Sequence, residues 1–125
     1  MNKALKIITC LPAVLFALVG LRWLVDPAGA AGELGMPLLD GIGRSAQIGD
    51  FGSFFITLSV LILLGVFTGR REWLYAPALM LGLAAAIRAL AWGVYDAAFA
   101  TSAIVVEVVV TAILLFAASR IKPAT

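Results

Sequence analysis

The chain has 125 residues, of which 63% are hydrophobic and 13% charged, against about half and about a quarter in a soluble domain, so water is not its main solvent and one domain spanning 1–125 is all its length supports. A net charge of +2 with no polybasic run excludes nucleic acid as a partner. The absence of His and the single Cys10 exclude an internal disulfide, a CxxC pair and a zinc cluster, and no metal or cofactor is expected.

A bilayer core takes about 20 mostly apolar residues per helix. Four stretches reach that length. The first predicted helix runs from Ala4 to Val25. Cys10 reads as a small apolar residue within it, and Pro12 is a candidate kink that membrane helices tolerate. Asp26-Pro27 ends it. A competing reading takes Lys3, Lys6, the apolar run and Ala28-Gly29-Ala30 as a secretory signal with a small-residue cleavage site. Arg22 and Trp23 interrupt the approach to that site, and the apolar run is long, so the uncleaved helix is preferred. Too little apolar sequence precedes Cys10 for a lipoprotein signal.

The segment from Asp26 to Arg44 is the longest loop. It is rich in small residues but carries Leu34, Met36, Leu38, Leu39 and Ile42. It is too short to span and too apolar for a solvated tail, so a cap over the helix ends is expected. The second helix is predicted from Ala46 to Thr68, ended by Gly69. Ser45, Gly49, Ser53 and Thr57 recur every four residues in it, a small, weakly polar stripe of the kind that lets helices approach closely. The third helix is predicted from Trp73 to Tyr95, with Pro77 in its first turns, where a missing N–H costs least. The fourth is predicted from Ala100 to Ser119. The fold class is therefore all-α, an antiparallel four-helix transmembrane bundle with an external loop cap between helices 1 and 2.

Orientation follows from the basic residues near the helix ends. Lys3, Lys6, Arg70, Arg71, Arg120 and Lys122 fall on one side of any four-span arrangement. Asp26, Glu33, Asp40 and Asp96 fall on the other, against Arg44. The basic side, with both termini, is expected in the cytoplasm. Trp23, Trp73, Tyr75, Trp92 and Tyr95 lie near predicted helix ends, as interfacial aromatics do.

Four ionisable residues lie within or at the edge of the helices: Arg22, Asp50, Arg88 and Glu107. Counting along each helix places all four in the outer half of the bilayer, with Asp50 about one turn in, roughly 6 Å. Their charges cancel. An unpaired charge in hydrocarbon costs at least about 2.5–3.5 kcal/mol, so pairing is expected. Arg88 with Glu107 is the first choice, since both are deep and their helices are joined by a short loop. Arg22 can pair with Asp26 at i+4 or reach Asp50. Trp92 lies four residues after Arg88, within reach of guanidinium–indole stacking. Together with Ser53, these residues form either a structural ion-pair cluster or a ligand site. A proton or ion path would need relay groups through the full thickness, and the inner half offers none.

A first helix ending in "RWLVDP", a second beginning "RSAQIGDFGSFF", Arg88 within the third and the "VVEVVV" Glu107 in the fourth resemble the small bacterial four-helix membrane proteins of the DoxX-like kind, in particular a family of unknown function in that group. The likeness covers nearly the whole chain, is clearest at Arg88 and Glu107, and departs at Asp50, where more aromatic and glycine character belongs. It implies a multi-pass protein of the bacterial inner membrane and carries no established activity. Similar bundles include subunits of larger membrane assemblies and, more distantly, enzymes or receptors with a lipophilic pocket. The expected function is non-enzymatic: binding a small amphiphile, or partnering another membrane protein. The alternative is a membrane enzyme acting on a lipid-like substrate, with Glu107 or Asp50 as acid/base beside Arg88 in an isomerase-type reaction.

Overall fold

The computed structural model describes residues 1–122, and among them every regular element is helical. Helix α1 spans Lys3–Val25, the short α2 Pro27–Glu33, α4 Glu72–Val94 and α5 Thr101–Ser119. Helix α3 runs continuously over Gly41–Thr68 and contains a π-helical turn at Gln47–Phe51. α1, α3, α4 and α5 are each long and apolar enough to cross a membrane.

Local chemistry sets the helix ends. The Asn2 side chain accepts from the Leu5 N–H at 2.8 Å and caps α1. Asp26 closes α1 by donating its own N–H to the Arg22 carbonyl, then caps α2 by accepting from the Gly29 N–H at 3.2 Å, with Pro27 at the first helical position. Gly69, at φ +66°, ends α3 in the left-handed region. Pro12 is buried within α1, which continues past it to Val25.

Two helix pairs dominate the packing: α1 lies along α3, and α4 along α5. Contacts of α3 with α4, and of α1 with α5, join the pairs less extensively. A shared apolar core fills the middle, with Phe16, Ile62, Leu74, Leu81 and Leu114 among its buried members. The α1–α3 crossing is close because it is built on glycine. A Cβ on Gly20 would lie 2.7 Å from Ile56 Cγ1 and 3.3 Å from the Gly52 carbonyl oxygen. Gly52 is itself buried, followed along the same face by Ser59, Ile62 and Val66. This corrects the expected approach surface, because Ser45, Gly49, Ser53 and Thr57 are all exposed.

Only about a third of each spanning helix's most apolar stretch is buried within the protein. The rest, including Leu11, Leu18, Leu79, Leu83 and Val105, faces outward. Hydrocarbon is the solvent that such a surface tolerates. The chain is a multi-pass membrane protein.

Charge is divided along the long axis. The Met1 amine donates to the Arg120 carbonyl at 3.4 Å, and Met1, Lys6, Thr68, Gly69 and Lys122 line one depression. Six of the nine basic residues gather around that end, where Glu72 is the one acidic side chain among the described residues and lies 3.8 Å from Arg70.

Candidate functional site

Past the first turn, the segment after α1 is more ordered than a loop. α2 folds back on α1 and buries Ala30 and Ala31 against Trp23. Trp23 is fully buried and stacked on Phe51 with ring centroids 5.1 Å apart. It is thus covered by α2 at the helix end where it sits, and does not face outward. Its indole N–H has no hydrogen-bond partner among the described residues. The chain then runs through Met36–Leu39 and is held by Gln47. The Gln47 Oε1 accepts from the Leu39 N–H at 2.7 Å, and its Nε2 donates to the Pro37 carbonyl at 3.0 Å. Gln47 is buried and opens the π turn of α3.

Arg88 and Glu107 meet directly. Arg88 Nε donates to Glu107 Oε1 at 3.0 Å and to Oε2 at 3.3 Å. The carboxylate is the hidden member, with a side chain 11% exposed against 40% for Arg88. One turn on, Thr111 donates its hydroxyl to the Glu107 carbonyl at 2.6 Å.

Arg22 is shared between two carboxylates. Its Nε and Nη2 donate to Asp26 at 3.4 Å, and its Nη1 donates to Glu33. The i+4 pairing with Asp26 was legible in the sequence. Glu33 was not placed in the site, because only the return of α2 brings it back to α1. The Asp-Pro pair at Asp26-Pro27 was the available signal, being a cap and first position for a new helix as well as an end for the old one.

The two ion pairs lie on one cavity of about 370 Å³, at the lower end of the range for small-molecule sites. Leu15, Phe16, Val19 and Arg22 of α1, Ala30 and Glu33 of α2, and Phe55 of α3 form one side. Leu81 and Arg88 of α4, with Ala103, Val106 and Glu107 of α5, form the other. The cavity thus sits where the two helix pairs face each other.

Asp50, Ser53 and Trp92 are not in its lining. Asp50 and Ser53 are exposed, with the Ser53 hydroxyl donating to the Asp50 carbonyl at 3.1 Å. Arg22 therefore does not reach Asp50. Trp92 is exposed and meets Phe99 edge-on at 5.2 Å instead of stacking on Arg88. Cys10 is partly buried against the core. Among the described residues no group of three His, Cys, Asp or Glu side chains could hold a metal ion. Compared with known protein families, with curated proteins and with solved structures, the chain matches none.

Proposed function

We propose that the chain is an antiparallel four-helix protein of the bacterial cytoplasmic membrane, with both termini cytoplasmic, that binds a small amphiphile. The segment from Asp26 to Arg44 caps its external end. The observation that carries this reading is the cavity of about 370 Å³ with an ion pair on each side and a remainder that is apolar except for Ser102. Ion pairs kept only to fix helix register need no space around them. A ligand site needs a concave, mostly apolar volume with a few convergent polar groups. The DoxX-like resemblance agrees with such a pocket by fold analogy alone.

Ala103→Trp fills the cavity from α5, where Ala103 is only partly buried. It is expected to remove a co-purifying amphiphile from the native mass spectrum while the protein stays folded. A folded Ala103→Trp protein with unchanged bound lipid would refute the assignment of the cavity. A second reading, that the chain serves a larger membrane assembly, rests on the exposed α3 face bearing Ser45, Gly49, Ser53 and Asp50. A bound protein in place of lipid in the same spectra would favour it. The isomerase-type alternative comes last, because Arg88 already occupies both oxygens of Glu107.

A further inference from the structure

The two arginines of the cavity differ in what they have left to give. A guanidinium carries five N–H donors in a fixed fork. Arg22 commits all three of its nitrogens to Asp26 and Glu33. Arg88 commits Nε alone, to both oxygens of Glu107. Its two Nη groups, with four N–H donors, have no hydrogen-bond partner among the described residues, and Arg88 lines the cavity. Both partners line the cavity, and the guanidinium is the more accessible of the two, with the Arg88 side chain 40% exposed against 11% for Glu107.

Charge narrows the class of ligand. Arg22, Arg88, Glu33 and Glu107 balance within the lining, and Asp26 adds a further acid beside Arg22. An anionic head would add an uncompensated charge in a low-dielectric setting, and a cationic head would meet the free side of Arg88. A neutral head with acceptor oxygens meets neither cost and satisfies the open donors. The volume is small for a ligand with two chains.

Resting on the amphiphile reading above, we infer that the cavity takes an uncharged, single-chain amphiphile whose head presents carbonyl or ester oxygens to the Arg88 Nη groups. Glu107 acts as a positioning residue, turning the fork so that Nε faces the protein and the Nη groups face the cavity.

The test uses four probes of equal chain length: a twelve-carbon methyl ester, the carboxylate, the primary ammonium and the alkane. Each is titrated against the full-length protein in amphipol, with native mass spectrometry and thermal stability as readouts. The wild type is expected to bind the ester tightest. Arg88→Lys keeps a cation for Glu107 but loses the planar fork, and it is expected to cut the preference of ester over alkane about tenfold. Tighter binding of the carboxylate or the ammonium by the wild type would overturn the head-group assignment while leaving an amphiphile site in place. An unchanged ester preference in a folded Arg88→Lys protein would overturn the role of Arg88. If the wild type binds none of the four, the amphiphile reading fails and the inference falls with it. The wild-type ranking decides the head group even if the variant does not fold.

Discussion

Arg88→Leu removes a guanidinium whose side chain is 40% exposed and leaves behind a carboxylate that is 11% exposed. Two unit charges about 4 Å apart attract by about 4 kcal/mol at an effective dielectric near 20. Solvent screening around the half-open Arg88 reduces this to about 2 kcal/mol. The stranded carboxylate adds its own burial cost, so the single change is expected to destabilise by about 2–4 kcal/mol. Glu107→Leu is milder. The remaining Arg88 has a long stem that lets its head snorkel toward the outer interface, which reduces the cost of an unpaired charge in hydrocarbon, so about 1–2 kcal/mol is expected. The double variant strands neither charge and should recover about 2 kcal/mol relative to the sum of the singles. Equilibrium unfolding in mixed micelles, with a denaturing detergent as the variable, measures all four proteins. Equal losses for the two single variants would refute the exposure argument, and additive losses would refute the pairing itself.

Gly20→Val places carbon 2.7 Å from Ile56 Cγ1 at the α1–α3 crossing and should cost about 1–3 kcal/mol, whereas Gly49→Val meets nothing within 4 Å and should leave unfolding nearly unchanged. Gln47→Ala removes the acceptor of the Leu39 N–H and the donor to the Pro37 carbonyl. It should cost about 1–2 kcal/mol and expose residues 34–40 to limited proteolysis, and an unchanged digestion pattern would show that the segment is held by something else. Reporter fusions after Arg71 and after Thr125 should read cytoplasmic, and one between Gly29 and Gly41 external. A mature N-terminus at Ala31 would overturn the four-span topology.

The spans were legible because hydrocarbon imposes a length and a composition that few other environments require. The expected limits of α1, α4 and α5 lie within one residue of those observed. α3 starts five residues before the expected Ala46, since Gly41, Gly43 and Arg44 look like loop while forming its first turns. The Arg88–Glu107 pair was legible from depth and from the short loop joining the two helices, two opposite charges with few other places to go. The inward face of α3 was not. A membrane helix is apolar on its lipid side as well as its core side, so periodicity does not say which stripe faces in. Gly52, the buried position against which Gly20 packs, lies one position before Ser53 on the exposed stripe, and the π turn at Gln47–Phe51 shifts the register just ahead of it. Glu33 was hidden for another reason: its place in the site depends on α2 folding back, which is a matter of tertiary geometry.

The order of the connections gives the molecule the mechanics of a clothes-peg. Both chain segments at the acidic end join helices of the same pair: α2 and Met36–Asp40 link α1 to α3, and residues 95–100 link α4 to α5. The covalent link between the pairs, at residues 69–71, lies at the basic end, as does the hydrogen bond from the Met1 amine to Arg120. Each ion pair of the cavity also closes within one jaw, Arg22–Glu33 in the first and Arg88–Glu107 in the second. Parting the jaws at the acidic end breaks no described ion pair and no described side-chain hydrogen bond. It trades apolar contacts between helices for apolar contacts with lipid tails, an exchange with little hydrophobic cost in a bilayer. Stiffness is therefore concentrated at the hinge, and compliance at the mouth where the arginines sit.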